Sequence, residues 1–279
     1  MKTLLIPVDF SGTCSNAIRY VLGMMKDIEI GRIILLKTFY KSYYEQILPS
    51  ADFVQLSTED IENERRLVDG QLEELTTSLM SHCNPSIEVE ISTSELPLLR
   101  AVVDLIEEKK PDLIVLGSDD PHGMEESYIG QLIIPIAKAS VVPVLIVPAH
   151  VSYTRVAQTL IPCDFRKVSR LAVIQGLNSP LAWIHPKLVI FNVDRRQKYL
   201  NMEQDNLRSL KPLLAGYSYS IHYAADADIV TGILNFADAS DLQMITALPG
   251  KYSFFSTLTH ISITEALALN ARHPVLILK

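Results

Sequence analysis

The sequence lacks most features of specialised protein classes. Its only cysteines are Cys14, Cys83 and Cys163, an odd number at wide spacing, so we expect reduced thiols and a cytoplasmic location rather than a disulfide framework. No apolar run approaches the roughly 18 residues that cross a bilayer. Pro7 and Asp9 interrupt the apolar start before a signal-peptide core could form. We therefore predict no membrane association.

Excess positive charge is also missing. The chain has 25 Lys and Arg against 32 Asp and Glu, a net charge of −7. A nucleic-acid partner requires a basic face, so none is expected. Zinc-ligand spacings, the Gly-x-Ser-x-Gly nucleophile elbow and the Gly-Lys-Ser/Thr of a P-loop are all absent from the sequence. With 48% hydrophobic residues the chain can still bury a large core, which predicts a globular protein.

The chain contains an internal repeat. "LLIPVDFSGTCSNAI" (4–18) returns as "TLIPCDFRKVSRLAV" (159–173), and each half closes on "PVLI". This repeat predicts two tandem domains, 1–150 and 155–279. The second is shorter by 24 residues, and we attribute the difference to residues 40–63, "YKSYYEQILPSADFVQLSTEDIEN".

Short apolar runs alternate with helical patterns in both halves. Five strands are predicted in each half: "KTLLIPVD", "GRIILLKTF", "SIEVEIS", "DLIVLGS" and "VPVLIVP", then "QTLIPCD", "KLVIFNVD", "YSYSIHYA", "DLQMITA" and "HPVLILK". Strand-helix alternation with short links predicts the α/β class, with two doubly wound domains, each a five-stranded parallel sheet flanked by helices. We expect two separate sheets with the same strand order.

A glycine-containing loop, "LGSDDPHGMEESYIGQ" (116–131), follows the fourth strand. Loops of this kind hold phosphates when glycine lets the backbone approach and a helix begins just after it. The loop is also acidic, and a carboxylate at Asp120 about 4 Å from a phosphate charge would cost about 4 kcal/mol at an effective dielectric of about 20. Alternatively, Asp119 and Asp120 cap a turn before Pro121.

Two blocks of the sequence resemble a known family. "LLIPVDFSGTCSNAIRYV" and "PDLIVLGSDDPHG…IGQ…KASVVPVLIVP" are similar to the opening and closing blocks of the universal stress protein family. The resemblance implies an adenine nucleotide alpha hydrolase-like fold, with the opening aspartate at the adenine and the glycine loop at the phosphates. The cofactor-binding residues that it implies are Val8, Asp9, Thr38, Gly117, Gly123, Gly130 and Gln131.

The loop departs from the family pattern Gly-x2-Gly-x9-Gly-Ser/Thr at two positions. Asp120 replaces the second glycine and Gln131 replaces the hydroxyl residue. A magnesium ion that bridges Asp120 and the phosphates would offset the repulsion. We therefore expect weak, magnesium-dependent binding of ATP or AMP in the first domain. The alternative is a nucleotide-independent interaction module in which both clefts are degenerate.

The second domain keeps Asp164 but loses the loop, since Gly250 is its only glycine beyond residue 240, and Phe254 and Phe255 stand where phosphates would bind. We expect a structural or partner domain, or else an apolar pocket for another ligand.

The resemblance implies a cytoplasmic stress-response or regulatory protein with at most slow ATP hydrolysis. It also implies that the two "PVLI" strands pair within the chain as a pseudo-dimer, and that a further homodimer could form. Cys14 has two interpretations: a thiol of lowered pKa near a helix N-terminus, or a buried core or cap residue.

Overall fold

The computed structural model describes residues 1–40, 58–82, 85–119, 127–176, 179–193, 210–248, 262–270 and 272–279. The first half contains β1 (Lys2–Pro7), α1 (Gly12–Met24), β2 (Ile30–Thr38), α2 (Thr58–His82), β3 (Glu88–Ser94), α3 (Leu98–Lys109), β4 (Leu113–Ser118), α4 (Tyr128–Ala139) and β5 (Val144–Pro148). None of the described helices is both long and apolar enough to cross a bilayer.

The second half repeats this order with shorter helices. It contains β6 (Gln158–Pro162), a 3-10 helix (Phe165–Gln175), α5 (Leu181–Ile184), β7 (Lys187–Val193), β8 (Tyr219–Ala224), α6 (Ile229–Ala239), β9 (Met244–Ala247), α7 (Ile263–Asn270) and β10 (Val275–Ile277). The 3-10 helix, which is broken at Lys167, stands where α1 stands in the first half. All ten predicted strands are present.

The strands form one sheet in the order β3-β2-β1-β4-β5-β10-β9-β6-β7-β8. Within each half the strands are parallel and follow the same order, as predicted. The predicted "PVLI" pairing is present: β5 and β10 pair antiparallel, with Leu145 opposite Leu276. The prediction of two separate sheets is wrong, because this pairing covers two apolar edges that would otherwise be exposed.

Equivalent hydrogen bonds confirm the internal repeat. The Val8 N–H donates to the Leu36 carbonyl across 2.8 Å, and the Cys163 N–H donates to the Phe191 carbonyl across 2.8 Å. Both pairs are related by the same offset, since 163 − 8 and 191 − 36 both equal 155.

The shortening of the second half lies between its second and third strands. Leu36 pairs with Ser92, 56 residues further on, whereas Phe191 pairs with His222, only 31 residues further on. Residues 40–63 lie in this interval of the first half, as predicted, although most of them fall outside the described residues.

The core has two layers, one on each face of the sheet. Neighbouring residues of a strand enter different layers, as strand geometry requires: Leu4 and Ile6 pack with α1, whereas Leu5 packs with α3 and α4. Both layers continue across the β5–β10 junction, through Leu276 on one face and Ile277 on the other. The two halves therefore share their hydrophobic core.

Candidate functional site

The candidate site lies at the carboxyl ends of β1 and β4. These neighbouring strands are the point where the strand order of the first half reverses, and ligands of open α/β sheets bind at such a point. Asp9 follows β1 and Asp119 follows β4. The helices α1 and α4 both begin there, so their N-terminal amides point towards the same region.

Asp9 connects the two helix starts. Its Oδ1 accepts hydrogen bonds from the Ser11 N–H at 3.0 Å and the Ser11 hydroxyl at 2.6 Å. Its Oδ2 accepts from the N–H of Ile129 in the first turn of α4, at 3.1 Å. Ser11 is the N-cap of α1, because its Oγ accepts from the Cys14 N–H at 3.2 Å. The carboxylate thus fixes the β1–α1 corner against α4.

The first amides of α4 are bound by side chains of the chain itself. Ser127 is the N-cap, and its Oγ accepts from the Gly130 N–H at 2.9 Å. The Ser127 N–H donates to Asp119 Oδ2 at 2.8 Å, and the Ile129 N–H donates to Asp9. A phosphate at a helix N-terminus would use these same donors. In this structure Asp9, Asp119 and Ser127 occupy them.

The two described motif glycines each allow a close contact within the chain. A Cβ on Gly117 would lie 2.4 Å from the Thr13 carbonyl oxygen, so glycine lets β4 pack against the start of α1. A Cβ on Gly130 would lie 2.0 Å from Asp119 Oδ2. The space above Gly130 therefore accommodates the Asp119 carboxylate.

Lys37, at the end of β2, interacts electrostatically with Asp9. Its Nζ lies 5.0 Å from the centroid of the Phe10 ring. Burial lowers the pKa of Lys37, while the negative charge of Asp9 acts in the opposite direction. At the end of this strand, the family resemblance indicates Thr38 and not Lys37. The sequence feature that could have pointed to Lys37 is a lysine at the end of the apolar strand "IILLKT".

The structure brings some of the predicted site residues together and leaves others apart. Asp9 and Gly130 come together at the start of α4, and Gly117 lies behind them against α1. Val8 is buried and its N–H is bound in the sheet, and no described contact connects Thr38 to Asp9. Gln131 lies in the first turn of α4, and Asp120 and Gly123 lie outside the described residues.

Cys14 is a core residue. Its side chain is buried and its Sγ lies 3.7 Å from the Pro7 carbonyl oxygen. Burial raises the pKa of the Cys14 thiol to about 11. The interpretation as a thiol of lowered pKa is therefore wrong, because desolvation outweighs the nearby helix N-terminus.

The equivalent region of the second half is built differently. Asn192 stands at the position equivalent to Lys37, since 192 − 37 = 155, and its Nδ2 donates to the Cys163 carbonyl at 2.6 Å. Phe165 follows Asp164 and packs on Tyr223, with 5.5 Å between ring centroids. Phe254, Phe255 and Gly250 lie outside the described residues.

In the described part of the first half, the α4 amides that a phosphate would use already have partners within the chain. A phosphate would have to displace Asp119 from the Ser127 amide and would face two carboxylates, each costing about 4 kcal/mol at 4 Å and an effective dielectric of about 20. No group of three or more metal-ligating side chains occurs among the described residues. A divalent cation would therefore need other ligands in addition to Asp119.

Comparison with protein families identifies the first half. The model of the universal stress protein family matches residues 1–148, just over half of the chain. The chain belongs to the universal stress protein family. No curated protein matches the sequence of this universal stress protein.

Solved structures of similar fold cover both halves of this universal stress protein. A universal stress protein from Archaeoglobus fulgidus is 19% identical, with 99% of this chain and 98% of that chain covered and a TM-score of 0.71. A functionally unknown protein from Pseudomonas aeruginosa is 12% identical, with coverage of 100% and 92% and a TM-score of 0.61. These likenesses establish the fold over the full length.

One further structure contains a nucleotide. A universal stress protein from Arabidopsis thaliana with AMP bound is 16% identical, with coverage of 53% of this chain and 92% of that chain and a TM-score of 0.36. At this TM-score the likeness gives no information about the ligand of the present chain.

Proposed function

We propose that this universal stress protein is a cytoplasmic stress-response regulator that acts without bound nucleotide. The observation that supports this proposal is the occupation of the α4 amides by the chain's own groups: Asp119 binds the Ser127 N–H and Asp9 binds the Ile129 N–H. Two carboxylate oxygens therefore take the place of phosphate oxygens. A regulator of this kind acts through protein partners, with both clefts degenerate.

The organisation of the chain agrees with this role. We propose that residues 1–150 and 155–279 are two domains that pair as a pseudo-dimer through β5 and β10. The second domain would be a structural or partner domain, because a 3-10 helix and Asn192 replace α1 and Lys37. Cys14 and Cys163 are buried free thiols, as expected in a reducing compartment.

A second candidate function is weak, magnesium-dependent binding of ATP or AMP in the first domain. It is favoured by one atom: Asp119 Oδ1 is buried and has no hydrogen-bond partner within the described ranges. A cation would compensate this oxygen and reduce the repulsion of phosphates. The residues that would hold the nucleotide are Val8, Asp9, Thr38, Gly117, Gly123, Gly130 and Gln131. Catalysis would then be limited to slow ATP hydrolysis.

Thermal unfolding with ATP or AMP at millimolar concentration, with magnesium or with EDTA, tests both proposals. A ligand that binds the folded state stabilises it by RT ln(1 + [L]/Kd), about 2.7 kcal/mol at 100 Kd. Under the first proposal, neither nucleotide raises the melting temperature of the wild type. Under the second, ATP raises it with magnesium and EDTA removes the effect.

Two variants strengthen this experiment. Asp119→Ala frees the Ser127 amide and removes one charge, so it should acquire nucleotide-dependent stabilisation if the amides are otherwise able to bind phosphate. Asp104→Ala, a change at a half-buried residue of α3 that breaks the pair with Arg100, controls for loss of a negative charge. Stabilisation of the wild type by ATP in the presence of EDTA would contradict both proposals.

A further inference from the structure

The strand β8 forms the outer edge of the sheet in the second half. Among the described residues it has one neighbouring strand, β7. The Leu188 N–H donates to the Ser218 carbonyl at 2.9 Å, and alternate residues of a parallel strand bond to the same neighbour. The N–H and C=O of Tyr219 and Ile221 therefore point away from β7. Within the described ranges no hydrogen bond uses these outward groups.

The opposite edge of the sheet, β3, provides an internal comparison. Ile221 pairs with Ile190, and Ile91 of β3 pairs with Leu35. These two partners are related by the offset of the repeat, since 190 − 35 = 155. Ile91 and Ile221 are therefore equivalent residues at the centres of the two edge strands.

The two edges differ in charge. Four charged side chains lie along β3: Glu88, Glu90, Arg32 and Lys109. Arg32 Nε lies 3.6 Å from Glu88 Oε2, and Lys109 Nζ lies 3.2 Å from Glu90 Oε1. Charged side chains at an edge oppose pairing with a further strand, because pairing would remove them from water. In β8, Ser220 stands at the position of Glu90, and the strand contains no Asp, Glu, Lys or Arg.

The side chains of β8 also suit strand pairing. Tyr219, Ile221 and Tyr223 lie on one face and are partly buried against the core. Ser220 and His222 lie on the other face, where His222 Nε2 is 3.2 Å from Ser220 Oγ. Aromatic and β-branched residues favour strands, and an edge strand without charged residues is open to a second strand.

We propose that β8 pairs with β8 of a second copy of the chain, antiparallel about a two-fold axis at Ile221. The two Ile221 residues then exchange a pair of backbone hydrogen bonds. Tyr219 comes to lie opposite Tyr223 of the second copy, and aromatic pairs across strands are favourable. Ser220 comes to lie opposite His222, so no like charges meet.

A second copy fits this edge because the arrangement is self-complementary. Pairing of a strand with itself about one residue is the isologous contact of a two-fold dimer. The chain already joins two apolar edges in the antiparallel sense at β5 and β10. The dimer extends the ten-stranded sheet to twenty strands. The inference does not depend on whether the first cleft binds a nucleotide.

Sedimentation equilibrium of the full-length protein tests the proposal. We expect a reversible monomer–dimer equilibrium between about 1 and about 100 µM. A wild-type protein that stays monomeric over this range would overturn the proposal.

Ile221→Pro and Ile91→Pro are a matched pair of variants. The Phe39 N–H donates to the Ser94 carbonyl at 2.8 Å, so the Ile91 N–H points outward in the same way as that of Ile221. Proline therefore removes only an outward donor in each case. Ile221→Pro should abolish the dimer, and Ile91→Pro should leave it unchanged. A dimer that persists in a folded Ile221→Pro protein would contradict pairing through β8.

A pair of charge variants tests the register and decides the question if Ile221→Pro does not fold. Ser220→Lys with His222→Lys places like charges opposite each other across the axis, whereas Ser220→Lys with His222→Glu places opposite charges there. The dimer of the Lys/Glu protein should be about tenfold tighter than that of the Lys/Lys protein. Since the chain has a net charge of −7, two added lysines would by themselves favour association, so a weaker Lys/Lys dimer reports the local contact. Equal dissociation constants would overturn the pairing at Ile221.

Discussion

The carboxylate of Asp119 fills the space that a side chain on Gly130 would need. A Cβ at Gly130 would lie 2.0 Å from Asp119 Oδ2 and 2.8 Å from Ser127 Oγ. A motif glycine that would give a phosphate access to the backbone therefore gives access to an aspartate of the same chain. This contact predicts how substitutions at the two positions depend on each other.

Gly130→Ala should destabilise the protein by about 1–3 kcal/mol, as overpacking usually does. The sign of this change in the free energy of unfolding is informative, because a Gly→Ala substitution inside a helix otherwise stabilises the protein by up to about 1 kcal/mol. In the double variant Gly130→Ala, Asp119→Ala most of the cost should disappear. Urea unfolding of the wild type, both single variants and the double variant measures this coupling.

Gly70→Ala is the matched control for this cycle. Gly70 lies inside α2, and a Cβ there would meet nothing within 4 Å. This substitution should be neutral or stabilising. If Gly130→Ala behaves like Gly70→Ala, the Asp119 carboxylate does not occupy the space over Gly130.

A second prediction follows from the repeat. Asp112 Oδ2 accepts from the Thr3 N–H at 2.8 Å, and Gln243 Oε1 accepts from the Gln158 N–H at 2.9 Å. These positions correspond, so an amide oxygen already performs this role in the second half. Asp112→Asn should therefore cost less than about 1 kcal/mol, although it weakens the ion pair with Lys2.

Asp112→Ala should cost about 1–3 kcal/mol, because the Thr3 N–H is left without its acceptor. Urea unfolding again gives the free energies. Equal losses for the Asn and Ala variants would show that the charge of Asp112, rather than its acceptor oxygen, is what stabilises the fold.

A third prediction concerns alkaline pH. Burial raises the pKa of the Cys14 thiol from 9.0 to about 11. Between these values the unfolded chain has lost the proton while the folded protein keeps it, so deprotonation favours unfolding as the pH rises. The contribution of this thiol to stability is thus complete below pH 9 and is lost between pH 9 and about 11.

Cys14→Ala removes this contribution. Its stability should fall less steeply than that of the wild type between pH 9 and 11, by on the order of 2 kcal/mol over the interval. Urea unfolding at several pH values measures the slope, and a Cys83→Ala background excludes the third thiol. An identical slope in both proteins would show that the Cys14 thiol is not buried in the folded state.

A fourth prediction concerns the junction of the halves. In the isolated segment 1–150, β5 would lose its partner β10 and would present an unpaired apolar edge. We expect this segment to self-associate through antiparallel β5–β5 pairing, detected by light scattering after gel filtration. A folded wild-type segment that stays monomeric at about 100 µM would contradict this prediction.

The sequence predicts the strands well because their pattern is local. Buried parallel strands require apolar residues on both faces, and runs such as Leu113–Leu116 show this directly. The joining of the two sheets is not encoded in any one strand, since it depends on whether two edges meet in space. The sequence also does not reveal that a 3-10 helix, and not an α-helix, follows β6, because "FRKVSRLAV" keeps apolar residues at spacings close to those of α1.

The sequence indicates where the candidate site lies but not which groups bind the amides at the start of α4. Asp9 and the glycine loop point to the carboxyl ends of β1 and β4, where the structure places Asp9, Gly117 and Gly130. Whether Asp119 would bind a cation, cap a turn or close the loop depends on distances of an ångström or less. Composition and spacing carry no such information.

The antiparallel pairing of β5 with β10 also sets the directions in which the two halves face. Because the strands within each half are parallel, the carboxyl ends of the first set lie at one rim of the sheet and those of the second set at the opposite rim. The region of Asp9 and the region of Asp164 therefore lie at opposite rims of one ten-stranded sheet, too far apart in orientation for a single flat surface to cover both.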